Sequence, residues 1–258
     1  MPRPPFSRPP RPVANTSRPG GGRRNLSTPA SQAKPASAPR RPRETVGERR
    51  RRAAAIARRL AETYPRAVCS LDFDTPFQLL VATILSAQCT DKRVNAVTPG
   101  LFQRWPDAAA LAAARQGEIE TVIRSTGFFR AKARSLLGCS RALVERHGGA
   151  VPRSLPDLVR LPGVGRKTAN VVMGAAFQEA TGVVVDTHVG RISRRLGLTR
   201  HGDAVRAERD LVALLDRSHW IAFSHRLIEL GRGVCLARRP RCPGCPLADL
   251  CPRVGVRG

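Results

Sequence analysis

From about position 45 onward, apolar residues recur at helical spacing. In TPFQLLVATILSAQCTD one face carries Phe77, Leu80, Val81, Ile84 and Leu85, which predicts a core helix. Comparable patterns predict helices in VGERRRRAAAIARRLAETYP, VNAVTPGLFQRW, DAAALAAA, GEIETVIRST, AKARSLLGCSRALVERHG, SLPDLVRL, AVRAERDLVALLD and WIAFSHRLIELGRGV. GVVVDTHVGRISRRLGL begins like a short extended run and continues as a helix. We find no alternating strand pattern and no tandem repeat, so the predicted fold is all-α.

The first 43 residues have a different composition, with eleven prolines, ten Lys and Arg, and no Asp or Glu. Such a segment cannot bury a core, and we expect a disordered basic tail over residues 1–47. A DNA-tethering arm and an organellar transit peptide remain alternatives, although the prolines oppose the amphipathic helix of a transit peptide.

The net charge of +26 is shared between +12 in residues 1–52 and +14 in the remainder. A body this basic predicts a polyanionic partner, with nucleic acid first and an anionic membrane surface second. Only eight Phe, two Trp and one Tyr are present, so duplex binding through the phosphate backbone is favoured over stacking on single strands. Apolar runs are too short for a membrane span and no leader follows Met1, which predicts a cytoplasmic, nucleoid-associated protein without a membrane partner.

The stretch LPGVGRKTANVV places a glycine-containing turn directly before a helix, where unpaired N–H groups can hold a phosphate. A dinucleotide fingerprint needs a third glycine where Thr168 stands, and a Walker A loop needs glycine in place of Arg166. The order helix, LPGVG, helix instead favours a helix–hairpin–helix unit that grips the DNA backbone without reading sequence. An ordinary tight turn between helices is the structural alternative.

Four cysteines near the C-terminal end follow the spacing Cys235-x6-Cys242-x2-Cys245-x5-Cys251. Four thiolates can close a tetrahedral zinc site or hold a cubane iron–sulfur cluster, and the spacing alone leaves both open. The remaining cysteines are expected to be buried or incidental thiols; these are Cys69, Cys89 and Cys139.

Taken together, ILSAQCTD, LPGVGRKTANVV, VDTHVGR and the terminal cysteines resemble the endonuclease III family, bifunctional DNA glycosylases of the helix–hairpin–helix glycosylase superfamily. The resemblance covers about residues 48–253. It implies a two-lobed fold, with a six-helix barrel carrying the hairpin in residues 69–180 and a second lobe from residues 48–68 plus 181–258. It also implies that the four terminal cysteines hold a [4Fe–4S] cluster.

The same resemblance assigns two catalytic residues. Lys167 is implied as the amine nucleophile that attacks the sugar C1′ and forms a Schiff base. Asp186 is implied as the carboxylate that stabilises positive charge or moves protons, and it can also cap the following helix. Without the family context, Lys167 would be read as a phosphate or solvent contact.

Further residues are implied to contact DNA. Gln88 and Phe128 would fill the gap left by an extruded base, with packing of Phe128 beside Phe129 as the alternative. Residues of the hairpin, two basic residues of the segment that follows Asp186 and the arginines between the first cysteines complete the set: Leu161, Gly163, Gly165, Arg166, His188, Arg191, Arg238, Arg239 and Arg241. For His188 a supporting role beside Asp186 is favoured.

The implied activity is removal of oxidised pyrimidines from duplex DNA and cleavage of abasic sites 3′ by β-elimination, carried out by a monomer. An adenine-mismatch glycosylase of the same superfamily is a rival, but that branch lacks the lysine that follows the hairpin. A non-catalytic helix–hairpin–helix DNA-binding module is a rival of another class. Lys167 with Asp186 argues against it, because a pure binder needs neither.

Overall fold

A computed structural model of the chain describes residues 44–256, which form helices, turns and loops without a strand. The α-helices are α1 (Val46–Thr63), α2 (Pro76–Leu85), α3 (Asp91–Arg104), α4 (Ala108–Ala112), α5 (Gln116–Ile123), α6 (Phe129–His147), α7 (Leu155–Leu158), α8 (Arg166–Phe177), α9 (Thr187–Arg195), α10 (Ala204–Leu214) and α11 (Trp220–Gly233). The all-α prediction is confirmed for this part of the chain. None of its helices is long and apolar enough to cross a membrane.

Side-chain caps explain where several helices begin. Thr45 and Glu48 form a reciprocal capping box at the start of α1. Helix α1 therefore begins inside the segment 1–47 that was predicted to be disordered, and the rest of that prediction falls on residues 1–43, outside the described residues. Thr75 accepts from the Gln78 N–H at the start of α2, where Pro76 supplies a favourable first residue.

Buried apolar side chains form two clusters. The larger cluster draws on α2 to α6, α8 and the hairpin before α8, and runs from Leu71 to Met173. The smaller cluster joins α1 to α9, α10 and α11, and extends to Leu247 in the cysteine segment. The chain thus reaches the smaller cluster twice, before and after it builds the larger one.

Helix α2 is the centre of the larger cluster. The pattern predicted one buried face, whereas the structure buries every residue from Leu79 to Leu85. The reason is that α3, α6 and α8 all pack against α2. The helix ends at Leu85, and a turn then leads to Gln88 at the protein surface.

Candidate active site and DNA interface

The hairpin between α7 and α8 has a backbone geometry that depends on one glycine. Gly163 has φ +77°, in the left-handed region, and a Cβ built there would lie 2.5 Å from Ser135 Cβ of α6. Leu161 and Val164 are buried in the larger cluster and anchor the turn on either side. The Leu161 side chain is therefore unavailable to DNA, and only its backbone can take the contact predicted for it.

The start of α8 presents unpaired N–H groups to solvent. Gly165 is its N-cap residue and has no side chain to accept them. Within residues 44–256 the N–H groups of Gly163, Gly165, Arg166 and Lys167 find no acceptor. Unpaired donors at the positive end of a helix favour an anion such as a DNA phosphate.

A pocket between the two clusters collects three residues named from the sequence. Lys167, Asp186 and Gln88 all line this cavity of about 270 Å³, which is open to solvent. The Lys167 side chain is exposed and forms no ion pair with any described carboxylate. Its amine is therefore free to meet a ligand in the pocket.

Asp186 is held in place by the helix that it begins. Its Oδ1 accepts the Val189 N–H at 2.8 Å, so the predicted N-cap is confirmed. The Oδ2 atom accepts no hydrogen bond from the described residues and remains available on the side of the pocket. A fixed carboxylate in the same pocket as a free amine can serve acid–base and electrostatic roles at once.

Several further pocket residues were not singled out from the sequence, and two of them, His225 and Arg232, lie two turns apart on one face of α11. His225 is largely buried, and burial lowers its pKa while the nearby Asp186 opposes the shift. Arg232 donates to Asp91 Oδ2 at 2.7 Å and to Ser70 Oγ at 2.9 Å. Since α11 belongs to the smaller cluster and α3 to the larger one, this arginine ties the two walls of the pocket.

Gln88 and Phe128 share an unusual backbone conformation. Both are non-glycine residues in the left-handed region, with φ of 52° and 47°. Phe128 is 66 % exposed, whereas Phe129 packs against the larger cluster. Of the two phenylalanines, Phe128 alone is free to enter a DNA duplex.

Arg166 was predicted to contact DNA but is engaged within the protein. Its Nε and Nη2 donate to the two carboxylate oxygens of Glu208 at 3.0 and 3.1 Å. Asn170 of α8 donates to the same buried carboxylate at 3.0 Å. The bidentate pair therefore fixes the start of α8 to α10 of the smaller cluster.

His188 and Arg191 of α9 also face the protein. Arg191 Nη2 lies 3.3 Å from His188 Nδ1 and donates to the carbonyl oxygen of Cys235 at 3.0 Å. A Cβ on Gly231 would lie 2.5 Å from His188 Nδ1, so that glycine lets α9 and α11 pack closely. Neither side chain lines the pocket that contains Lys167. Arg191 was expected to point to a phosphate, but it donates to the backbone of the cysteine segment.

The four terminal cysteines line one small cavity of about 20 Å³. Burial raises the pKa of Cys245 and of Cys251, and the charges of the neighbouring cysteines add to the increase. Within residues 44–256, however, no three Cys, His, Asp or Glu side chains converge into a ready metal site. Arg238, Arg239 and Arg241 of the loop are exposed, and Arg241 also lines the cysteine cavity.

Comparison with known proteins identifies the superfamily of the chain. The family model described as HhH-GPD superfamily base excision DNA repair protein matches residues 81–216, which span the hairpin, the pocket lysine and the cap of α9. Over 207 residues, 80% of this chain and 94% of its relative, the sequence is 56% identical to endonuclease III of Synechocystis sp.. It is 44% identical to endonuclease III of Bacillus subtilis over 75% of this chain and 88% of that protein.

A solved structure agrees with these relatives. The trapped endonuclease III–DNA covalent intermediate in an estranged-adenine complex superposes with a TM-score of 0.74 at 41% identity, covering 81% of this chain and 96% of that one. The chain therefore belongs to the endonuclease III family, within the HhH-GPD superfamily. The predicted family and helix–hairpin–helix glycosylase fold are confirmed.

Proposed function

We propose that the protein is a base-excision repair enzyme that removes oxidised pyrimidines from duplex DNA and cleaves abasic sites through a lysine Schiff base. The observation that carries the proposal is the pocket that both the unpaired Lys167 amine and the capped Asp186 carboxylate line, beside a hairpin that suits a phosphate. The family relatives support the same activity, including one trapped as a covalent intermediate with DNA.

Lys167 supplies the nucleophile. Its neutral amine attacks C1′ as the bond from C1′ to the base breaks, and the leaving base takes up a proton released by the amine. The sugar ring then opens to a Schiff base between Nζ and C1′. Loss of the C2′ proton breaks the C3′–O bond and releases the 3′ phosphate, and water finally restores the amine.

Asp186 acts on the same carbon. Its Oδ1 accepts the Val189 N–H, which fixes the carboxylate at the wall of the pocket and leaves Oδ2 without a partner among the described residues. A carboxylate there stabilises the positive charge that develops at C1′ and passes protons between the reacting groups.

Two loops open the duplex so that the damaged nucleotide can enter the pocket. Gln88 lines the pocket rim and Phe128 projects from the surface, and together they fill the space that the extruded nucleotide leaves. The N–H groups of Gly163 and Gly165 hold a backbone phosphate nearby.

The two apolar clusters correspond to the two lobes, residues 69–180 and residues 48–68 plus 181–258.

A [4Fe–4S] cluster is the group that best fits the four terminal cysteines. All four line one pocket, and Arg195 donates to Cys235 Sγ at 3.2 Å, a contact that suits a metal-bound thiolate. When bound, the cluster supplies a rigid cross-link and takes no part in the chemistry at C1′. With the loop cross-linked by the cluster, its exposed arginines face the DNA backbone.

Strand cleavage tests the activity directly. The protein is incubated with duplexes that carry thymine glycol or an abasic site, and with the undamaged duplex as the control. We expect cleavage 3′ to both lesions and none of the control. Tight binding to all three duplexes without cleavage would instead identify a helix–hairpin–helix binding module.

A further inference from the structure

Lys132, in the first turn of α6, has a buried side chain that the proposed mechanism does not use. Only 5% of the residue is exposed. Its Nζ donates to the carbonyl oxygen of Leu85 at 2.8 Å and to that of Thr126 at 2.8 Å. One ammonium group thus joins the end of α2 to the turn that precedes α6.

Burying this ammonium group would cost folding free energy if its two hydrogen bonds did not form. No carboxylate of residues 44–256 lies within ion-pair distance of Lys132, and burial lowers its pKa. Neither carbonyl receives another hydrogen bond from these residues. Leu85 is the last residue of α2, so the ammonium also meets the negative end of that helix.

The two carbonyls belong to the two loops that reach toward DNA. Gln88 follows Leu85 by three residues, and Phe128 follows Thr126 by two. Both residues hold the left-handed backbone conformation, which costs free energy for a side chain other than glycine. Such conformations persist only when the surrounding structure fixes the segments on either side.

We propose that Lys132 is a positioning residue that locks the Gln88 turn and the Phe128 turn to each other, so that both side chains enter the duplex in a fixed relation. The proposal rests on the function proposed above and extends it. Inserting a side chain into the duplex costs base-stacking free energy. A loop that moves away from the duplex instead leaves the target nucleotide in the helix. A shared buried anchor prevents either loop from yielding alone.

Replacement by methionine removes the anchor. Lys132→Met keeps an unbranched side chain of similar length but breaks both hydrogen bonds. Arg146→Met is the matched control, because it removes one positive charge from the same helix about 21 Å away and Arg146 is exposed. If Lys132→Met does not fold, Lys132→Gln is measured in its place by the same criteria.

The assay compares two substrates under single-turnover conditions. One is a duplex with an abasic site, which must be opened, and the other is the same abasic strand without its complement, which has no paired stack to open. We expect Lys132→Met to lose about tenfold or more on the duplex and less than about threefold on the single strand. Fluorescence of 2-aminopurine beside the lesion should show a correspondingly smaller rise on binding.

A cycle with Phe128→Ala separates positioning from general stability. If Lys132 acts through the Phe128 turn, Lys132→Met should cost clearly less on the duplex when Phe128 is already alanine. Equal losses on both substrates, no loss on either, or additive losses in the cycle would overturn the proposal. A parent protein that cleaves neither substrate would refute the proposed function itself, whatever the variants do.

Discussion

The two glycines of the hairpin should respond to alanine in opposite ways. At Gly163 the left-handed φ of +77° costs an alanine about 1–2 kcal/mol. The Cβ contact of 2.5 Å with Ser135 Cβ adds strain of about 1–3 kcal/mol. At about 2–4 °C per kcal/mol for a domain of this size, Gly163→Ala should lower Tm by about 4–20 °C.

Gly165 offers the opposite case. Its φ of −91° suits any residue, and a Cβ there meets no protein atom within 4 Å. Gly165→Ala should therefore change Tm by no more than about 2 °C, the small cost of alanine as an N-cap. A phosphate that sits on this backbone would meet the new methyl group, and DNA affinity should fall about tenfold, or about 1.4 kcal/mol.

Thermal unfolding and duplex binding by anisotropy measure the two effects on the same preparations. Ser135→Gly serves as a control for the contact. Gly163→Ala should lower Tm by less in the Ser135→Gly background than in the parent protein. Unfolding of Gly163→Ala at the parent temperature would contradict the strain at that position. DNA binding by Gly165→Ala as tight as that of the parent would contradict a phosphate on this backbone.

Four other outcomes follow from the structure. Glu208→Gln should lower stability by about 1–3 kcal/mol in urea unfolding, because it weakens the bidentate pair with Arg166; unchanged stability would contradict the network. Burial lowers the pKa of His225, so folding stability should fall as the pH drops below about 6.5, and His225→Asn should remove that part of the dependence of Tm on pH. Purified protein should be yellow-brown and contain iron, and Cys245→Ser should fold poorly; an active, colourless zinc protein would refute the cluster. Deleting residues 1–43, which carry ten Lys and Arg, should reduce affinity and its salt slope while turnover at saturation persists; lost turnover would place the tail in the fold.

Local signals in the sequence were sufficient for most of the fold. The caps at Thr75 and Asp186 and the glycine at position 163 act within a few residues, so their consequences can be read from the chain itself. Motif resemblance then identified the family, and Lys167 and Asp186 do line one pocket. Their catalytic roles remain predictions that the measurements above and below test.

Contacts between distant segments could not be read in this way. The ion pair of Arg166 is one example, because nothing near it in sequence reveals that Glu208, 42 residues later, accepts its hydrogen bonds. The burial of Lys132 against the carbonyl oxygens of Leu85 and Thr126 likewise has no local signal in the sequence. The left-handed backbone of Gln88 likewise depends on packing around the end of α2 rather than on its own residue type.

Covalent trapping is the most direct test that Lys167 is the nucleophile. Borohydride should reduce the Schiff base between the protein and abasic DNA to a stable adduct, visible as a shifted band on a denaturing gel. Lys167→Gln should form no adduct and lose strand cleavage by several orders of magnitude, while DNA binding stays within about tenfold. Lys167→Arg retains the positive charge but offers no neutral amine, and it should fail in the same way. Trapping and cleavage by Lys167→Arg at the parent rate would contradict the account and make Lys167 a phosphate contact.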